Sequence, residues 1–323
     1  MNLTHAQLTA LAAASGHHVE PLEKVLRLID LLNALRAHPF LGPRLALKGG
    51  TALNLFIFDL PRLSVDIDLN YIGAADRETM LAERPRIEAA LLAVFGRQGL
   101  AVKRAPNEEH AGYKCRIGYS RIEGSPGNLE LDLNFMYRVP LWPPVTQSSR
   151  PVAGLSATSQ LLDVHELTAG KLAAAFGRRK SRDLFDFDSL FHHVSFDSER
   201  LRLAFTAYGG MSTAVDWRTI TPEHLDTTDG DVSDHLLPML RRDASPTRGD
   251  VSAWTRRLVE RCRNFARELL PLRAHEMEFL ALLNDRGELK PELLTEDRAL
   301  QSRLANHPAL LWKLAKVRRR QDG

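Results

Sequence analysis

The chain has 323 residues, 44% of them hydrophobic and 26% charged, with a formal net charge of +3 and a pI of about 8.9. That balance fits a globular protein with a sizeable core and excludes a fibrous or disordered chain. No apolar run approaches the roughly 20 residues that span a bilayer, the amino terminus lacks a signal-peptide pattern, and the two cysteines, Cys115 and Cys262, are too few for a disulfide framework; a cytoplasmic protein without membrane contact is expected.

Residues 4–37 read as helices, with apolar spacing at Leu22, Val25, Leu26, Ile29, Leu32 and Leu35, and Pro39 ends the stretch. Arg44–Lys48 reads as a short strand that breaks at Gly49-Gly50, and Thr51 is predicted to cap a helix running to about Phe58. A strand around Asp66 and Asp68 follows, then a helix from about Arg77 to Phe95. Strand patterns near 100–104, 112–119 and 128–135 come next, with a Gly124-Ser125-Pro126-Gly127 turn before the last. This order predicts an α/β (α+β) lobe built on a mixed sheet. A proline-rich crossing from Val139 to Pro151 separates it from a chain that reads as almost wholly helical, apart from a polar stretch, 226–250, expected to be a long loop or lid. Two lobes are expected, 1–155 and 156–323.

The chemistry concentrates in a few places. In Ser64-Val65-Asp66-Ile67-Asp68-Leu69 a strand sends the apolar residues to one face and Ser64, Asp66 and Asp68 to the other. Asp is depleted in strands, so two in one strand interior ask for a reason. Carboxylates two apart are separated by roughly 6.5–7 Å along the strand and can bracket paired divalent ions about 3.5–4 Å apart, as in phosphoryl and nucleotidyl transfer. An amphipathic strand with a solvated acidic face has the same pattern. Glu130, Asp132 and Asn134 repeat the alternation in Leu129–Asn134, where an acid could complete a metal site or take a proton from an attacking hydroxyl. Gly49 and Gly50, beside Lys48 and before a helix, allow close backbone approach to an anion. Lys171 lies in an apolar helix, and Asp183 and Asp186 are three apart on a helical face. Basic clusters at 178–182, 256–263 and 316–320 can meet a phosphate backbone or form solvated helix faces. The pairs His17-His18 and His192-His193 show no zinc-ligand spacing.

Taken in order, Lys48-Gly49-Gly50-Thr51-Ala52-Leu53, Leu63–Leu69, Lys171-Leu172-Ala173-Ala174 and Arg182-Asp183-Leu184-Phe185-Asp186 resemble the motifs of the AbiEii/AbiGii (MenT-like) nucleotidyltransferase toxins, within the DNA polymerase β-type nucleotidyltransferase superfamily. The motifs span residues 48–186. The resemblance implies a bilobed nucleotidyltransferase-type fold with a helical second lobe contributing Lys171 and Asp183 to a cleft. Asp66 and Asp68, with Asp132 at the third-acid strand of the wider superfamily, would hold Mg²⁺, two ions in all, against a nucleoside triphosphate. Lys48, Gly49, Gly50 and Thr51 would lie by the phosphates, Lys171 would neutralise them, and Asp183 or Asp186 would orient Lys171 or the nucleotide. Ser64 falls at a position that relatives can place under antitoxin-linked modification. The wider superfamily has Gly-Ser where this chain has Gly50-Thr51, and the hydroxyl is kept.

The implied activity is a metal-dependent toxin that transfers NMP to RNA, foremost the tRNA 3′ end, and is neutralised by a cognate antitoxin. A protein or small-molecule acceptor keeps the same chemistry. A non-catalytic binding module with a structural acidic face is the reading from outside enzymology.

Overall fold

The structure is a computed structural model that describes residues 3–104, 111–247 and 249–321. The chain divides into two compact units, one of residues 1–138, 144–162 and 237–245, the other of 139–143, 163–236 and 246–323.

The first unit opens with α1 (His5–Ser15) and α2 (Val19–Ala37). Thr4 caps α1 by a reciprocal exchange, its hydroxyl accepting from Gln7 N while Gln7 Oε1 accepts from Thr4 N, and Gly16 ends it in the left-handed conformation at φ 73°. The apolar stripe of α2, including Leu22, Val25, Leu26 and Ile29, is buried. There follow β1 (Leu45–Lys48), a helical turn at Gly49–Ala52, β2 (Asp66–Tyr71), α3 (Arg77–Arg97), β3 (Ala101–Arg104), β4 (Gly112–Ser120), β5 (Pro126–Asn134), β6 (Val145–Ser148) and β7 (Thr158–Leu161). They form one seven-stranded sheet in the order β3-β4-β5-β2-β1-β7-β6. β2 runs parallel to β5 and antiparallel to β1, and β1 runs parallel to β7. α2 packs on β5 and β7, and α3 packs on β3 and α2. Ile67, Leu69, Leu131 and Leu133 are each at most 2% exposed, which fixes the register of the central strands, since a slip by one residue would bury their carboxylates.

Three local expectations are corrected. Thr51 does not cap its helix: Lys48 holds the cap position without a side-chain bond, and Thr51 is fully buried one turn inside. The helix does run to Ile57 as expected, its second part, Leu53–Ile57, in π geometry. The proline-rich crossing contains β6, and β7 follows within the span read as helical; each is four residues long, too short for a clear period-2 signal. The polar stretch 226–250 breaks into short helical turns at Asp229–Asp231, Val232–Leu236, Leu237–Met239 and Arg242–Ala244 rather than one open loop, and residues 237–245 return to the first unit through a Leu63 N to Met239 O bond of 2.8 Å.

The second unit is helical: α4 (Val164–Arg178), α5 (Ser181–His193), α6 (Ser198–Met211), then helices at Val251–Leu269, Ala274–Ala281, Arg298–Ala305 and Pro308–Gln321. Phe176, Phe205 and Trp217 form an aromatic triangle with ring centroids 5.1–6.3 Å apart. A buried Arg202–Glu276 pair, with bonds of 2.9 and 2.6 Å, ties α6 to the Ala274–Ala281 helix. Glu166 is 2% exposed and accepts from Trp142 N and Tyr208 Oη, both at 3.2 Å.

Burial outweighs those hydrogen bonds and pushes the Glu166 carboxyl from 4.5 up to about 7. The folded state therefore holds this proton where the unfolded chain has lost it. The resulting stability is complete below about 4.5 and disappears as the pH rises through about 7. Glu166→Gln keeps the contacts without the titration. Urea melts of both proteins should diverge by up to about 3 kcal/mol across that window, the variant gaining relative to the parent as pH rises; parallel curves would show that Glu166 does not titrate there.

Candidate active site

β2 is interior to the sheet, so its alternation leaves its even-numbered residues on one face. Asp66 and Asp68 are half-buried on that face, while Ile67 and Leu69 between and beyond them are in the core. Register extends the pattern sideways. Asp68 stands opposite Asp132 on β5 and opposite Lys48 on β1, and Asp132 stands opposite Lys114 on β4. One row across the sheet thus reads Lys48, Asp68, Asp132, Lys114, two carboxylates flanked by two ammonium groups. The adjoining row pairs Asp66 with Glu130 and Glu130 with Arg116. Glu130 is engaged by Arg116 at 2.9 Å and approached by Lys114 at 3.9 Å. The sequence foresaw the acids; the flanking Lys114 and Arg116 emerge only once the register is known.

The turn after β1 is built against these acids. Gly49 adopts φ 72°, where a side chain is strained, and a Cβ there would overlap Asp68 Oδ2 and push that carboxylate aside. Thr51 Oγ1 donates to the main-chain carbonyl of Asp66 at 2.5 Å, and the fully buried Asn54 donates from Nδ2 to Gly50 O at 2.9 Å. The Thr51 hydroxyl, expected beside a phosphate, is used here to fasten the turn to the strand that carries Asp66. Asn54 was not singled out from the sequence, although an amide one turn after a Gly-Gly pair, among Leu53, Leu55 and Phe56, was the available signal. Ser64 lies two residues before Asp66 and is buried.

In the second unit Lys171 does not snorkel to solvent. It is 7% exposed, and its Nζ lies 2.9 Å from Asp183 Oδ1 and 2.8 Å from Asp186 Oδ2. Arg178 on the same helix reaches Asp183 Oδ2 at 3.0 Å. Burial favours the neutral acid, but the charges of Lys171 and Arg178 prevail and hold the Asp183 carboxyl below its usual range. Asp183 and Asp186, either of which was expected to orient Lys171 or the nucleotide, both lie against Lys171. The structure brings together Lys48, Gly49, Gly50, Thr51, Asp66, Asp68 and Asp132 in one unit, and Lys171, Asp183 and Asp186 in the other.

The donor set of the first group fits a hard divalent cation, because carboxylate oxygens from adjacent strands face the same side. Among the described residues no three His, Cys, Asp or Glu side chains close on one point to cage an ion. Mg²⁺ requires no such cage, since it is commonly held by one or two carboxylates and completes its shell with water and substrate phosphates.

The site thus sits on a seven-stranded mixed sheet, with a paired-acid central strand beside a glycine turn. The family model "Nucleotidyl transferase AbiEii toxin, Type IV TA system" matches residues 30–276, and the chain belongs to that family. The solved structure of MenT4, a nucleotidyltransferase toxin from Mycobacterium tuberculosis H37Rv, is similar with a TM-score of 0.56 and 21% identity over 94% of this chain and 99% of that one, a likeness of fold. No curated protein matches the chain significantly. Membership in a toxin–antitoxin family implies a cognate antitoxin. Among the described residues no helix is long and apolar enough to cross a membrane.

Two variants test this geometry. Gly49→Ala should abolish nucleotide transfer while circular dichroism stays native, because its methyl group displaces Asp68; retained activity would separate the turn from the acids. Lys171→Met should lower stability by about 3–5 kcal/mol, since it leaves two buried carboxylates without their shared cation. Adding Asp183→Asn and Asp186→Asn should recover most of that loss in urea melts, whereas no recovery would place the Lys171 effect outside this ion group.

Proposed function

We propose that this protein is a metal-dependent nucleotidyltransferase that transfers NMP from a nucleoside triphosphate to the 3′ end of an RNA, foremost tRNA. The observation that carries the reading is the row in which Asp68 and Asp132 stand side by side, with Asp66 two residues along the same face and Gly49 pressed against Asp68. Asp66, Asp68 and Asp132 would hold Mg²⁺, which supplies charge stabilisation at the α-phosphate.

The remaining work falls to the chain. Lys48 and the main chain at Gly49-Gly50 bind phosphate oxygens, close approach being possible because Gly49 carries no side chain. Thr51 fastens that turn to β2, and Asn54 braces it from within by donating to Gly50 O. In the second unit Lys171 is set between Asp183 and Asp186, which hold its ammonium group in place. In the reaction the acceptor hydroxyl oxygen forms a bond to the α-phosphorus. The α–β phosphoanhydride bond breaks, pyrophosphate departs, and the hydroxyl proton passes to a carboxylate or to water. The site is placed in the cytoplasm, where tRNA ends are available, and blocked ends would halt translation until an antitoxin intervenes.

Purified protein should be incubated with total RNA, Mg²⁺ and each labelled NTP in turn, beside Asp66→Ala. Label should enter tRNA-sized RNA with the parent, at a rate at least about 100-fold above the variant, and EDTA should abolish it. Label on protein or small solutes would replace the RNA acceptor. Equal labelling by Asp66→Ala would remove the carboxylate mechanism.

A further inference from the structure

Two of the three basic clusters noted in the sequence spend much of their charge inside the second unit. Arg178 pairs with Asp183 and Lys180 with Asp231. Arg257 pairs with Asp250, Arg261 with Asp188, and Arg263 donates to Leu225 O. The third cluster differs. On the helix Pro308–Gln321, Leu310 and Val317 face the core, and Arg318 folds back to donate to Gly287 O at 2.9 Å. The outward face carries Trp312, Lys316, Arg319 and Arg320, and among the described residues no acidic side chain pairs with those three cations. Trp312 is 49% exposed, a high value for the costliest side chain to leave in water. Together with Ala315, these four residues line a shallow, open groove formed by this helix alone. Lys316 Nζ stands 5.2 Å from the Trp312 ring centroid. Burial depresses the neighbouring Lys313 ammonium, with Asp216 opposing the shift and Lys316 and Arg320 adding to it.

We propose that Trp312, Lys316, Arg319 and Arg320 form a docking platform for a single-stranded segment of the acceptor RNA. An unpaired base stacks on the Trp312 indole, and the three cations meet the phosphates on either side. The inference rests on the RNA-acceptor reading of the transferase and adds where that acceptor is gripped. The chemistry of the groove selects the occupant. A protein partner is ordinarily met by an apolar centre with charge at the rim, whereas here the cations line the groove itself. A second copy of the chain would bring like charges together. A lipid surface needs a continuous apolar helix face, whereas on this helix Leu310 and Val317 are buried and the exposed large apolar side chains are Leu311 and Trp312, with cations at 316, 319 and 320. A polyanion with flat bases satisfies both the aromatic ring and the unpaired charge.

The test is fluorescence anisotropy of the full chain with a short fluorescein-labelled single-stranded RNA, titrated at several salt concentrations. Trp312→Ala should weaken binding about tenfold without changing the salt slope, and Trp312→Phe should stay near the parent, because stacking needs only a ring. Replacing Lys316, Arg319 and Arg320 together by Ala should flatten the slope of log K against log salt by about 2. Unchanged affinity and slope in these variants, or no RNA binding by the parent, would overturn the platform. Transfer activity is read on the same preparations beside Asp66→Ala. RNA binding that depends on Trp312, with no labelling of RNA by the parent, would sustain the platform and remove the transferase reading. RNA labelling that is indifferent to all four positions would do the reverse.

Discussion

Everything at the candidate active site depends on β2 being an interior strand with only one face free. It is hydrogen-bonded to β1 on one side and β5 on the other, and Ile67 and Leu69 are sealed into the core. Alternation leaves Asp66 and Asp68 no choice of side. Parallel pairing with β5 then sets Asp132 beside Asp68, and antiparallel pairing with β1 sets Lys48 on the other flank. The carboxylates are close because hydrophobic burial fixes the register. Gathering like charges costs energy, and Lys48, Lys114 and Arg116 offset part of it, although Lys114 and Arg116 are exposed and screened.

The second unit handles charge differently. Lys171 is stripped of most of its water and repaid by two carboxylates at hydrogen-bond distance. Such a group resists rearrangement, since moving any one member leaves an uncompensated charge in a low-dielectric setting. It is therefore suited to hold a cation in one orientation. The outward face of the carboxyl-terminal helix is the contrast, with cations that no acid among the described residues pairs with and an indole left half exposed beside Lys316. Charge satisfied internally serves the fold, and charge left open is available to a ligand.

The acidic strands were legible in the sequence because their pattern is short-range: period-2 alternation in 65–69 and 129–134 depends on nothing beyond the strand itself. The helical stripe of α2 was legible for the same reason. What escaped depended on partners far along the chain. Thr51 looked like a cap because Thr before an apolar run usually is one, but its hydroxyl found the Asp66 carbonyl, fifteen residues away, and burial of the turn took precedence. β6 and β7 became strands through pairing with each other and with β1, which local composition does not announce. Lys114 and Arg116 acquired meaning only from a register that no single strand encodes.

Asp66, Asp68 and Asp132 are proposed to hold a divalent cation against a nucleotide. The most direct measurement is a crystal grown with Mn²⁺ and a non-hydrolysable nucleoside triphosphate, read by anomalous scattering. Anomalous density is expected within coordination distance of Asp66 and Asp68, with the triphosphate over Gly49-Gly50. Density elsewhere, or a nucleotide bound away from that turn with no ion at the acids, would contradict the proposal.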